Sequence, residues 1–335
     1  MPGTNLTREE ASERASIIST ETYDVELDLT LDSDTRFGSV TTITFGATPG
    51  ASTFADLVDG EISSITLNGA PVDPSAYSDS RIALTDLAAS NVLRVEATCA
   101  YSRSGEGLHR FVDPVDQRVY LYTQFEVPDA RRVFTTFEQP NLKAVFTFHV
   151  TAPAAWQVVS NSPTPEPVPA PAAKEGQQSA TWHFAPTKRM STYITALIAG
   201  EYHQVTDTYT GAYDDIPLGV FCRQSLVEHL DADDLFLITK QGFEFFEGAF
   251  EMGYPFGKYD QLFVPEYNMG AMENAGAVTF RDEMIFHSRQ TVSAYEQRAN
   301  TILHEMAHMW FGDLVTMNWW DDLWLNESFA EFAAH

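Results

Sequence analysis

Thr301-Ile302-Leu303-His304-Glu305-Met306-Ala307-His308-Met309-Trp310 reads as one buried helix carrying two histidines and a glutamate. On a helix, residues four positions apart share a face with Cβ atoms roughly 5–6 Å apart, so the imidazoles of His304 and His308 can both reach one ion. A tetrahedral zinc, with Zn–N distances of about 2.0–2.1 Å, accepts such a pair and keeps two positions for a third ligand and a water. Glu305 projects from the neighbouring strip of the same helix. It is too near along the chain to ligate comfortably and stands where a general base would meet that water.

Working outward, Ser293-Ala294-Tyr295-Glu296 fits a capping box that would start this helix, and Gly312 is expected to end it. A second helix is expected from about Leu323 to His335, entered through Asp321 and Asp322, whose charges suit a helix N-terminus. Two histidines leave an ion underliganded, so a third donor should face them from another element. Glu327, with 18 residues between it and His308, is the candidate. Leu325, Phe329 and Phe332 are expected to pack the second helix against the first. The competing reading is a chance pattern with Glu327 solvated. Helix context, a capping signal and a third carboxylate together weigh against it. Asp313, Asp321, Asp322 and Glu331 are candidate acceptors for the outer ring nitrogens, and the sequence does not choose among them.

At 335 residues, with 44% hydrophobic and 13% aromatic content, the chain exceeds one ordinary domain and has ample material for cores. Two domains are expected, residues 1–203 and 204–335. Twenty Lys plus Arg against 47 Asp plus Glu give a net charge of −27, which argues against nucleic-acid or anionic-membrane partners. The carboxylates are spread along the chain, as solubility requires. Cys99 and Cys222 stand far apart, in no ligand spacing, and fit a reducing compartment. Residues 1–15 lack the apolar core of a signal peptide, and no stretch reaches about 20 apolar residues. A soluble, cytoplasmic protein is expected.

The first part reads as β-sheet. Tyr23, Val25, Leu27 and Leu29 alternate with Asp24, Glu26 and Asp28, the pattern of a half-buried strand. Strands are expected at Val40–Phe45, Ile62–Leu67 and Val92–Cys99, with Asn68-Gly69 as a hairpin turn. A further strand covers residues 145–150. Ser160 to Gln178 is crowded with prolines and is taken as an exposed loop, because 180–184 and 193–199 resume strand patterns. From residue 204 the character changes: a strand at Leu218–Cys222, a helix from Asp231 to Phe250 burying Leu235, Ile238, Phe243, Phe246 and Phe250, then strands at Gln261–Pro265 and Val278–Phe280.

His304-Glu305-Met306-Ala307-His308 with Glu327, set within Trp319-Trp320-Asp321-Asp322-Leu323-Trp324-Leu325-Asn326-Glu327, resembles the gluzincin zinc aminopeptidases of the aminopeptidase N type. Gly270-Ala271-Met272-Glu273-Asn274 matches that family's exopeptidase motif letter for letter. Thr123-Gln124-Phe125-Glu126 and Ala130-Arg131-Arg132-Val133-Phe134 resemble its N-terminal domain, and the opening residues look closest to actinobacterial forms. The resemblance runs from about Tyr23 to the last residue. It implies an α+β multi-domain chain: a saddle-like β-domain followed by a thermolysin-like α/β catalytic domain, incomplete at its C-terminus.

The residues of the exopeptidase motif agree with this physically. Glycine lets backbone approach a bound peptide, and Glu273 can take a peptide's α-ammonium, whose pKa is about 7.7–8.0. By resemblance, Glu126 is the second carboxylate for that amine and Gln124 touches the first residue's carbonyl. Met272 reads equally as a pocket lining and as core. The remaining histidines, at 109, 149, 183, 203, 229, 287 and 335, lack partners in metal spacing and are read as structural, and Tyr254, Pro255 and Tyr259 as packing and turns.

The implied reaction is hydrolysis of the first peptide bond of a peptide with a free N-terminus, one Zn²⁺ and its water serving Glu305 as base and then acid. The family's oxyanion tyrosine lies well downstream of the third ligand. None of the 13 tyrosines follows Tyr295, so the 335 residues are expected to be an N-terminal portion with reduced or no activity and exposed apolar surface around Phe329 and Phe332. The alternatives are an epoxide hydrolase of the same fold and a noncatalytic module that binds peptide N-termini. Oligomeric state and side-chain preference leave no signal.

Overall fold

The computed structural model describes residues 5–31, 33–171, 176 and 178–335. The chain is mixed α+β, and its residues gather into two compact units. The first comprises Met1–His109, Thr123–Val158 and Thr164–Thr195, and the second Arg110–Tyr122, Val159–Pro163 and Ala196–His335.

The first unit is built on an eight-stranded sheet in the order 168–170, 179–183, 145–153, 18–28, 36–47, 90–100, 61–67 and 70–71. In strand Ile18–Asp28, Tyr23, Val25 and Leu27 are buried while Glu26 is exposed and Asp24 and Asp28 half-buried. The alternation does bury one face. Tyr23 stacks on Phe146 at 4.8 Å between centroids, and Phe134 meets Phe146 and Phe148 edge-on, the geometries aromatic quadrupoles favour. Asn68 and Gly69 both take positive φ, 54° and 79°, between strands Glu61–Leu67 and Ala70–Pro71, the expected tight hairpin turn.

One expectation needs correction here. The proline-rich segment holds a short strand, Val168–Ala170, paired antiparallel with Ser179–Thr181. Residues 172–175 and 177 of that segment lie outside the described residues. The polar opening, of which residues 1–4 also lie outside them, contains a helix, α1 (Arg8–Ile17). Thr7 and Glu10 form a reciprocal capping box. Apolar periodicity does not announce α1 because what it buries is Arg14, whose guanidinium pairs with Asp56 at 2.7 Å and donates to Gln139 at 2.6 Å.

The second unit holds a five-stranded sheet in the order 203–210, 215–222, 259–264, 277–281 and 271–272. Strands 215–222, 259–264 and 277–281 run parallel. The long helix α2 (Ala232–Phe250) is the crossover joining the first two, as parallel pairing requires. Leu235, Phe243 and Phe246 are buried, while Ile238 and Phe250 pack partly buried at the margin. Helix α3 (Val292–His308) lies against α2. Arg298 of α3 reaches Asp234 in the first turn of α2 at 2.6 Å, and Ile302 and Met306 enter the core.

The cap of α3 is Thr291, not Ser293: its hydroxyl accepts the Ala294 N–H at 3.2 Å. The helix also ends before Gly312, with His308 its last residue and Met309 its C-cap. Helix α4 (Trp324–Ala334) follows. Its buried positions are Asn326 and Ala330, one turn apart, rather than Leu325, Phe329 and Phe332. Phe332 is 80% exposed and Phe329 38% exposed, in line with the expected apolar surface. No helix among the described residues is long and apolar enough to cross a membrane.

Candidate metal and substrate site

Helices α3 and α4 bring His304, His308 and Glu327 together. Their Nε2 and carboxylate oxygen atoms lie within 4.8 Å of one another. The two Nε2 atoms face each other at 2.9 Å, and Glu327 Oε2 stands 3.4 Å from that of His304 and 3.9 Å from that of His308.

The outer nitrogens decide what this means. His304 Nδ1 is 3.0 Å from Glu331 Oε2, and His308 Nδ1 is 3.1 Å from the Phe311 carbonyl oxygen. Each acceptor requires a proton on Nδ1, so in the neutral rings both Nε2 lone pairs point at each other and at a carboxylate oxygen. That arrangement is repulsive unless a cation or a proton sits among them. A tetrahedral ion with bonds of about 2.0–2.2 Å holds its donors roughly 3.3 Å apart, within the 2.9–3.9 Å spread of this set. The residues fit zinc.

Without an ion the same set attracts protons. Burial pulls the His304 pKa down, yet the hydrogen bond and charge of Glu327, followed by Glu273 and Glu331, outweigh it and hold the imidazole above its ordinary value. The hydrogen bond from His304, with the charges of both histidines, outweighs burial at Glu327 and keeps its carboxyl below the usual range. Of the four carboxylates considered for the outer nitrogens, the structure brings Glu331 to His304. The partner of His308 is a backbone carbonyl, which no side-chain pattern could have disclosed.

Glu305 is buried on α3, 5% exposed, and its carboxylate lies within 4.8 Å of donor atoms of Glu273 and His308. Gly270–Asn274 runs into the five-stranded sheet. Ala271 and Met272 pair antiparallel with Phe280 and Thr279 as the strand at one end of the sheet order. Asn274 donates to Thr279 Oγ1 at 3.1 Å, and the Arg281 N–H bonds to the Gly270 carbonyl at 3.1 Å. Gly270 is exposed, Ala271 half-buried, and Met272, Glu273 and Asn274 buried. Gln124, buried, and Glu126, half-buried, belong to the first unit, at and just beyond the end of strand Val119–Gln124.

Sequence reasoning passed over Asn326. Fully buried on α4, it donates from Nδ2 to Glu273 Oε1 at 2.7 Å.

A mixed sheet with a crossover helix carries a helix pair that converges two histidines and several carboxylates into a candidate metal centre. The chain belongs to the peptidase M1 family: the peptidase M1 N-terminal domain matches residues 19–194 and the peptidase family M1 domain residues 236–335. It is 58% identical to an aminopeptidase N of Streptomyces lividans over 337 residues, which cover 99% of this chain and 38% of that protein. An aminopeptidase N of Acetobacter pasteurianus is 38% identical over 215 residues, 63% of this chain and 58% of that one. The tricorn protease-interacting factor F2 of Thermoplasma acidophilum is 32% identical over 281 residues, 84% of this chain and 34% of its own length. The chain thus spans about two fifths of the Streptomyces relative.

Proposed function

We propose that this chain carries the zinc-binding and amine-anchoring part of an aminopeptidase that hydrolyses the N-terminal bond of peptides. The observation that carries the reading is the convergence of Glu273, Glu305 and His308 beside the His304, His308 and Glu327 set. Zinc held by those three ligands would polarise the scissile carbonyl and lower the pKa of the attacking water.

The chain's own residues supply the rest. Glu305, beside the ligand set, takes the water's proton as the new C–O bond forms and delivers it to the leaving amine as the C–N bond breaks. Glu273 holds the substrate's α-ammonium, so a free N-terminus is a condition of binding and the anchor-to-ligand span selects the first bond. The end-strand position of Ala271–Met272 supports backbone pairing with an extended peptide. Gln124 and Glu126 are assigned to the first residue's carbonyl and amine by the family resemblance, and the functional division falls between residues 1–203 and 204–335.

The test compares aminoacyl chromogenic substrates with their N-acetyl forms, alongside zinc content. One zinc per chain, lost in His308→Ala, with cleavage or binding restricted to free amines, is expected. Equal handling of both substrates would sink the anchor reading.

A further inference from the structure

We propose that Asn326 is a positioning residue that fixes the Glu273 carboxylate relative to the metal ligands and so sets the span from a peptide's N-terminus to the bond that is cut. The inference rests on the reading of Glu273 as ammonium anchor and Glu327 as ligand.

Asn326 and Glu327 are consecutive in the first turn of α4. Neighbours on a helix point about 100° apart, so one turn can hold the anchor with one residue and the ion with the next. The Asn326 side chain is 0% exposed, and its Nδ2 donates to Glu273 Oε1 at 2.7 Å. Any shift of this turn therefore moves anchor and ligand together.

The loop after α3 is shaped around the same amide. Gly312 has φ +125°, and a Cβ there would stand 2.1 Å from Asn326 Oδ1 and 2.7 Å from Cγ. Such separations are far inside van der Waals contact, so any side chain at 312 would displace Asn326. The segment just past the end strand, the loop after α3 and α4 itself thus meet on one carboxamide.

The chemistry of the donor matters. A buried Lys or Arg in this place would neutralise Glu273 and compete with the substrate's ammonium. A carboxamide N–H satisfies one carboxylate oxygen and leaves the negative charge for the ligand. It restricts the rotamers of Glu273 before substrate arrives, which lowers the ordering cost of binding.

The experiment uses the zinc-loaded chain, with L-leucinamide and N-acetyl-L-leucinamide titrated calorimetrically into wild type, Asn326→Ala, Gly312→Ala, Glu273→Gln and the double variant Asn326→Ala/Glu273→Gln. The wild type should prefer the free amine. Asn326→Ala should keep one zinc per chain yet weaken leucinamide binding about 10–100-fold, the range for a hydrogen bond to a charged group, and Gly312→Ala should shift it in the same direction. The double variant should bind no more weakly than Glu273→Gln alone, because Asn326 acts through Glu273. Wild-type affinity and preference in Asn326→Ala, or losses that multiply in the double variant, would overturn the inference while leaving the anchor reading intact. Absence of any preference in the wild type would overturn both. Should Asn326→Ala not fold, Gly312→Ala with and without Glu273→Gln gives the same cycle.

Discussion

Replacing Glu138 with glutamine should change how the first unit's stability depends on pH. Glu138 is 1% exposed and accepts from the Arg131 N–H at 2.9 Å and the Thr192 hydroxyl at 2.5 Å. Burial pushes its carboxyl up from 4.5 to about 7, against the Thr192 hydrogen bond and the charge and amide of Arg131, with Asp56 adding to the rise. Because the folded pKa exceeds the unfolded one, the folded state binds the extra proton. Its contribution is full below about pH 4.5 and is lost as pH rises through about 7. At about 1.36 kcal/mol per pH unit, the gap amounts to about 3 kcal/mol. Glutamine imitates the protonated acid, and the Thr192 hydroxyl can rotate to accept its amide. Urea unfolding of both proteins between pH 4.5 and 8 should show Glu138→Gln gaining about 3 kcal/mol on the wild type across that range. A constant difference, or one that shrinks as pH rises, would refute the assignment of the neutral acid to the folded state.

Glu305→Gln should leave zinc content unchanged while lowering kcat about 10²–10⁴-fold, the span for a general acid–base residue; unchanged turnover would point to a contaminating enzyme. Arg14→Ala leaves Asp56 charged and buried and should destabilise the first unit by about 3–5 kcal/mol, with Arg14→Ala/Asp56→Asn less damaging in denaturation. Cys99 and Cys222, free and buried, have thiols pushed up to about 12 by burial. Both should resist a thiol reagent at pH 8 until their own unit opens, and rapid labelling of the native chain would show otherwise.

What the sequence disclosed, and what it withheld, follows from the range of each interaction. Strand Ile18–Asp28 and the Asn68-Gly69 turn were legible because burial of one face and positive φ act on neighbouring residues. His304, Glu305 and His308 were legible for the same reason, as helical spacing converts sequence separation directly into shared direction. Helix α1 was not, because a buried ion pair between Arg14 and Asp56, 42 positions apart, replaces the apolar stripe that periodicity detects. The start of α3 shows a subtler failure. Thr291 and Ser293 are both competent caps two residues apart, and Thr291 is the one whose hydroxyl accepts a helix N–H.

The site divides along the same line. The convergence of His304, His308 and Glu327 could be anticipated residue by residue, but the outer hydrogen bond of His308 goes to the backbone carbonyl at Phe311, and every residue has a carbonyl. Asn326 is harder still, since an asparagine on a helix usually faces water, and its meaning depends on a carboxylate 53 positions earlier, just past a two-residue strand, and a glycine 14 positions earlier. A shared helical face can therefore be written in five letters, whereas the position of Glu273 beside α4 is held by an amide contact that exists only once separate elements have packed. If the Asn326 cycle behaves as expected, the bond-selecting property of the site resides less in its reactive groups than in the neutral residue that spaces them.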